Sequence, residues 1–223
     1  MMQKKQLIQK IINVFETGQP EGKYDQLVIY ADGIENSKQI TFGRCQTTEQ
    51  ANLLTLVEMY VESEGAYCHD FIPYLDLIGN TPLHENKVFK NLLITAAQQD
   101  EIMRTTQDRF FDEVYWAPAL AWCEHHKMVF NLSALVVYDS YIHSGRIPMF
   151  LRKRFTELPP LKGGDEKAWI RAYVGTRHQW LKYHSRPILR KTLYRTQTFI
   201  NEIERDNWNL EQTPIIANGI SVS

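Results

Sequence analysis

Leu7-Ile8-Gln9-Lys10-Ile11-Ile12-Asn13-Val14-Phe15-Glu16-Thr17-Gly18 is the stretch on which the reading of this chain turns. Leu7, Ile8, Ile11, Ile12 and Phe15 recur at the spacing of one helical face, so Lys4 to Glu16 reads as an amphipathic helix. Thr17-Gly18 supplies the stop, because Gly18 can take the left-handed conformation that closes helices. Glu16 is then a carboxylate in a last helical turn. After it the period changes. Leu27-Val28-Ile29-Tyr30 is a short β-rich run ending near the turn dipeptide Asp32-Gly33, and Gln39-Ile40-Thr41-Phe42 resumes as a second run. Gln26 to Phe42 is expected to form a small hairpin with a long tip that carries a second carboxylate, Asp32.

Beyond Thr47 the signal is helical nearly to the end. Thr48 is placed to cap a helix through Leu53, Leu54, Leu56, Val57 and Tyr60. Val88 to about Phe111 carries one or two more helices, and Leu132 to His143 is apolar almost all round, as a central buried helix would be. Pro159-Pro160-Leu161-Lys162-Gly163-Gly164-Asp165 breaks the pattern and reads as a loop between lobes, since helices resume over Ala168 to Leu181 and Pro187 to Arg205. The tail Pro214 to Ser223 reads as short and extended. The class expected is α+β, mostly helical with one small N-terminal sheet, and residues 1–223 form a single domain of two lobes.

Composition narrows the function. The chain has 223 residues, 43% hydrophobic and 23% charged, which is ample for a core. A net charge of −1 creates no field to attract nucleic acid or an anionic membrane. No apolar run approaches the roughly 20 residues of a membrane span. The start, Met1-Met2-Gln3-Lys4-Lys5, is basic but leads into no continuous apolar stretch, so no signal peptide is read there. Synthesis in the cytoplasm is expected, with export by a non-classical route or release on lysis. Cys45, Cys68 and Cys123 are an odd set at wide spacings, which argues against a disulfide framework and for a reducing compartment.

The two carboxylates suit glycoside hydrolysis, where one protonated carboxyl protonates the leaving oxygen and an ionised one activates water or attacks. Their environments must differ for this. Glu16 sits where the helix dipole is negative and follows Phe15, and both conditions favour keeping a proton. Asp32 lies on a polar turn where solvent keeps it ionised. The bland alternative is a surface helix-end residue and a turn former.

Glu16-Thr17-Gly18, Tyr24, Asp32-Gly33 and Ile40-Thr41-Phe42-Gly43-Arg44 resemble the N-terminal active-site lobe of chitosanases of glycoside hydrolase family 46. The likeness continues in order through Gln107-Asp108-Arg109-Phe110-Phe111-Asp112, Tyr115-Trp116-Ala117-Pro118-Ala119, Tyr138-Asp139-Ser140-Tyr141-Ile142-His143-Ser144-Gly145, Tyr173-Val174-Gly175-Thr176-Arg177 and Tyr194-Arg195. This resemblance implies a lysozyme-like fold of two helical lobes around a cleft, and an inverting mechanism with Glu16 as acid and Asp32 as base. It implies that Thr41 helps hold the attacking water, although the interval from Asp32 is longer than the family's and leaves Glu35 as a rival base. It also implies a buried aspartate with two arginines behind the acid, matching Asp139, Arg177 and Arg195, with Arg190 competing for the last place. An ordinary interior salt bridge would look the same in sequence. Tyr24, Arg44 and His143 are the candidates for sugar contact.

Other features carry less. Cys123, Glu124, His125 and His126 are consecutive, so they point to different sides of any element and cannot readily chelate one ion. No metal site and no cofactor is expected. Cys45 has no local histidine and reads as a buried structural cysteine, and His143 reads either as a core histidine or as cleft lining. Most of Trp116, Trp122, Trp169, Trp180 and Trp208 should be packing. The expected partner is a polysaccharide. Chitosan, a polycation, would draw on acids such as Glu49, Glu58, Glu62 and Asp70. Peptidoglycan cleavage of the phage or secreted-effector type is the alternative, and a catalytically silent carbohydrate-binding or structural protein of the same fold is the second.

Overall fold

Gly18 ends the first helix through its backbone: α1 spans Lys5–Thr17, and Gly18 lies at φ 74° with its N–H on the Val14 carbonyl. The structure is a computed structural model that describes residues 4–44 and 46–223. After α1 come β1 (Leu27–Tyr30), β2 (Gln39–Phe42) and β3 (Thr47–Thr48). They are followed by α2 (Leu53–Glu62), α3 (Cys68–Phe71), α4 (Lys87–Gln99), α5 (Glu101–Phe111), α6 (Ala117–His125) and α7 (Asn131–Ser144). Then come α8 (Met149–Arg152), α9 (Glu166–Lys182), α10 (Pro187–Arg190), α11 (Leu193–Glu204), β4 (Ile215–Ala217) and β5 (Ile220–Val222). The chain divides into two compact units, Gly22–Asp112 and the described part of Met1–Glu21 with Glu113–Ser223.

In the Gly22–Asp112 unit the sheet order is β1-β2-β3, all antiparallel. Leu27 pairs with Phe42 and Tyr30 with Gln39, which fixes the hairpin expected from the sequence. Every residue of the central strand β2 is buried. Thr48 does not cap a helix. It pairs with Thr41 in β3, and α2 starts only at Leu53, after an Asn52 that makes no side-chain cap bond. A strand partner wins here because the β2 edge needs one for its backbone groups. Val88 to Phe111 is two helices, broken at Asp100, whose extended backbone ends α4 and whose carboxylate caps Ile102 N of α5 at 2.9 Å. The same carboxylate accepts from Tyr60 Oη at 2.6 Å and Ala66 N at 2.8 Å, so the break is tied into the core.

In the other unit α7 is buried continuously from Leu132 to Ser140 and packs against α6, α9 and α11. The loop around Pro159–Asp165 lies inside this unit rather than between lobes, and Asp165 ends it by capping Ala168 N at 2.7 Å. The run from Pro187 is not one helix, because it breaks between α10 and α11. The tail corrects the sequence reading too. It folds into the β4–β5 hairpin, with Asn218 at φ 47° and Gly219 at φ 82° forming its turn. Asn-Gly between apolar residues is a strong hairpin signal. Ile215, Ala217 and Val222 are buried, and the hairpin packs on α1. The apolar face of α1 thereby gains a cover, worth roughly 1.5–3 kcal/mol for each large side chain fully buried.

Trp116, Trp169 and Trp208 are core residues, whereas Trp122 and Trp180 are half-buried. Cys68 and Cys123 are free thiols, and the expectation for Cys45 lies outside the described residues, as does that for residues 1–3. No helix among the described residues is long and apolar enough to cross a membrane.

Candidate active site

Glu16 belongs to one unit and Asp32 to the other. Glu16 lies in the last turn of α1 with its side chain 10% exposed, and one oxygen, Oε1, is held by Arg195 Nη2. Arg195 Nη1 donates to Asp139 Oδ1 at 2.6 Å, and Arg177 Nη1 donates to Asp139 Oδ2 at 2.6 Å. Asp139 is 0% exposed and both arginines are nearly so. Asp139 comes from the middle of α7, Arg177 from α9 and Arg195 from α11, so three helices place one ionic chain behind Glu16.

The charges are arranged so that each has a partner. Burial pushes the Asp139 carboxyl up, but Arg177 and Arg195 outweigh it and hold the carboxyl below its usual range. Glu16 and Asp139 in turn keep Arg195 charged despite its burial. The Arg195 guanidinium lies 5.4 Å from the Phe15 ring centroid, and Tyr194 Oη donates to the Phe15 carbonyl at 2.8 Å. These contacts tie the end of α1 to α11. Arg190 does not compete for this place, because its Nη1 donates to the His184 and Ser185 carbonyls.

His143 extends the chain of contacts. Arg177 Nη2 lies 3.2 Å from its Nδ1, and a guanidinium can only donate, so Nδ1 accepts. Burial, then Arg177 and Arg195, push the imidazole down to about 3. It is neutral at ordinary pH and completes the Arg177 fork.

Asp32 is exposed on the turn after β1, and its Oδ1 accepts from Gln39 Nε2 at 2.9 Å. The Gln39 amide orientation is fixed because its Oε1 accepts from Gln50 N at 3.1 Å. Gln50 also grips the tip, accepting from Ile34 N at 2.7 Å and donating to Ser37 Oγ at 2.9 Å. Gly33 lies against this clamp, where an added Cβ would come within 2.6 Å of Ser37 Oγ and 2.7 Å of Gln50 Oε1. Glu35 stands apart. It is exposed at φ 56°, and its carboxylate has no hydrogen-bond partner among the described residues.

Thr41 does not suit the water-holding role given to it. It is 3% exposed in β2, and its Oγ1 is buried without a hydrogen-bond partner among the described residues. A hydroxyl sealed in a strand cannot share a solvent water with Asp32. Ser37 is the hydroxyl on the same turn as Asp32, which Gly33 N closes by donating to the Ser37 carbonyl at 3.0 Å. Sequence reasoning passed over Ser37, Gln39 and Gln50 because nothing local marks a glutamine as a clamp.

Arg44 and Tyr24 are committed to Asp108. Arg44 Nη1 contacts Asp108 Oδ1, Tyr24 Oη donates to the same oxygen at 2.9 Å, and Arg44 is 4% exposed. Gln107 bridges them, donating to the Tyr24 carbonyl and accepting from Arg44 N, each at 2.9 Å. Both side chains are thereby tied to Asp108, whose own side chain is 47% exposed. Among the described residues no group of three or more His, Cys, Asp or Glu could hold a metal ion. His126 instead stacks on Trp122 with centroids 3.8 Å apart.

Glu16 is thus backed by a buried Arg–Asp–Arg set, and Asp32 is steadied on its turn; glycoside hydrolases work with a pair of carboxyl groups. The chain belongs to glycosyl hydrolase family 46, whose model matches residues 10–215. It is 22% identical over 222 residues to a chitosanase of Bacillus subtilis strain 168, covering 92% of this chain and 79% of that protein. Its fold matches the family 46 chitosanase of Gynuella sunshinyii in complex with chitotetraose, with a TM-score of 0.83 at 20% identity, covering 100% of this chain and 98% of the other. A mutant chitosanase from Bacillus subtilis MY002 complexed with 6 GlcN matches with the same TM-score, 0.83, at 22% identity and coverage of 99% and 98%. The α+β, mostly helical class read from the sequence is the class observed.

Proposed function

We propose that this glycoside hydrolase is an endo-acting, inverting chitosanase that cleaves β-1,4-linked amino-sugar polymers, with both units acting as one catalytic domain. The observation that carries the reading is the Glu16–Arg195–Asp139–Arg177 chain at the end of α1. Ion pairs this deeply buried are expensive to build and fix geometry more than they add stability. Spending three helices to orient one glutamate points to that glutamate as the reacting group. The family's relatives named for chitosan supply the substrate class.

In the proposed reaction Glu16 gives its proton to the glycosidic oxygen as the bond to the anomeric carbon breaks. Water attacks that carbon from the opposite face, and Asp32 accepts the water's proton. Ser37 offers a hydroxyl on the turn that carries Asp32, and Gln39 keeps the Asp32 carboxylate in one orientation. Proton exchange with solvent then restores both groups. Nothing in this sequence needs redox chemistry or a group carrier, so no cofactor is assigned.

Mass spectrometry of products from glucosamine hexamers and from peptidoglycan, run side by side, tests the reading. Internal cleavage of the glucosamine oligomer is expected. Binding of that oligomer without any cleavage would mean a silent lectin-like protein, and cleavage confined to peptidoglycan would move the activity to a muramidase.

A further inference from the structure

In the Gly22–Asp112 unit, β1, the tip after it and the start of α4 enclose an open pocket of about 610 Å³. Ile29 and Ala31 form its apolar part, and Lys38, His84, Lys87 and Lys90 give it charge and polarity, with Glu85 as the acid. Its size is that of small-ligand sites. None of the three lysines has an ion-pair partner among the described residues. Glu85 is 90% exposed in its side chain and only 3.9 Å from His84 Nε2, a long contact that neutralises little of the wall.

A further feature leaves the pocket incomplete. Lys87 is the first residue of α4 and Lys90 lies in its first turn, where no acidic residue is present. Cations at the positive end of a helix dipole are locally unfavourable, and an anion there satisfies both the lysines and the dipole. Positive charge concentrated in a concave wall with an apolar floor raises the local concentration of anions.

We propose that this pocket binds an oxyanion group, a phosphate or a carboxylate, either free or carried on an acidic saccharide. Polycationic chitosan is excluded from it by like charge. The pocket adjoins the proposed base: Ala31 precedes Asp32, and Lys38 precedes Gln39, whose Nε2 holds the Asp32 carboxylate. A bound anion therefore rests on both arms of the turn that presents Asp32.

Isothermal titration of the full chain at low ionic strength tests this, with pyrophosphate as the free oxyanion. N-acetylmuramic acid is compared with N-acetylglucosamine, which lacks the lactyl carboxylate. Saturable binding of pyrophosphate or N-acetylmuramic acid is expected, with no binding of N-acetylglucosamine. The Lys87→Ala/Lys90→Ala variant should weaken it at least tenfold, and so should Lys38→Ala alone. Binding of the acidic sugar only would assign the saccharide source, and binding of pyrophosphate only would assign the free anion. Absence of saturable binding to both probes, or affinity unchanged in the variants, overturns the proposal. Hydrolysis of glucosamine oligomers by the double variant should match wild type, so failure of the pocket and failure of the chitosanase reading are read separately.

Discussion

Arg195 grips Glu16 with one terminal nitrogen and, with the other, reaches Asp139 at 2.6 Å. One guanidinium thus joins the end of the first helix to the middle of the most buried one. Its planar fork explains why arginine occupies the place, since a lysine could not satisfy two carboxylates in fixed directions.

Glu16→Gln keeps the shape of the side chain and removes its proton. Turnover of glucosamine oligomers should fall by roughly 10²–10⁴, with an unchanged circular dichroism spectrum. Near-wild-type kcat in a folded variant would remove Glu16 from the role of acid.

Asp32→Asn should abolish turnover, whereas Glu35→Gln should change it little. The reason is orientation. Asp32 is steadied by Gln39, while Glu35 has no partner among the described residues to hold it in an attacking geometry. Gln39→Leu, which frees Asp32, should reduce kcat more than KM. The reverse ranking of Asp32→Asn and Glu35→Gln in steady-state assays would transfer the role of base to Glu35.

Removing one member of a buried ionic set leaves another unpaired, at a cost of about 3–5 kcal/mol. Arg195→Ala should therefore lower both stability in urea titrations and activity. Arg195→Lys should recover part of the stability and less of the activity, because charge returns without the fork. Equal recovery of both would mean that Arg195 serves stability alone.

Stability should fall on acidification. His143 binds its proton in the unfolded chain at about 6.5 but, folded, only near 3. Between those values the unfolded state holds more protons, so unfolding free energy drops as pH falls, by up to about 1.4 kcal/mol per pH unit for this one group. Asp139 acts in the same direction at lower pH, because its folded value lies below the ordinary one and its contribution is lost as pH falls through it. His143→Gln keeps an acceptor for Arg177 and should flatten the slope between about pH 6.5 and 3. An unchanged slope in denaturant titrations would place the proton uptake elsewhere.

Direct attack by water inverts the anomeric centre, so a β-linked oligomer should first release the α-anomer. A retaining mechanism needs carboxyls about 5–5.5 Å apart, and an inverting one about 6.5–9.5 Å. NMR of fresh product, recorded before mutarotation, distinguishes them. An initial β-anomer signal would falsify the inverting assignment and the part given to Asp32.

Much of this protein was legible in local sequence. The three- and four-residue spacing from Leu7 to Phe15, Gly18 at the left-handed stop, the alternation into β1 and β2, and the all-round apolar run of α7 follow from backbone geometry and burial within a few residues. Longer-range partners were not. Thr48 has the chemistry of a helix cap, yet β2 claims it as a strand. Asn218-Gly219 was a readable turn, but its value depends on the apolar face of α1 lying against it. Thr41 and Ser37 are both hydroxyls near Asp32, and only burial separates them. The sequence by itself determined the helices, the small sheet and which carboxylates stand at an element's end, because those depend on period and on glycine. The tertiary structure decided that Arg195 rather than Arg190 meets Glu16, that Gln39 steadies Asp32, and that Arg44 is spent on Asp108. Those choices join residues as far as 179 positions apart, and no local preference of the chain encodes which distant charge a guanidinium will meet.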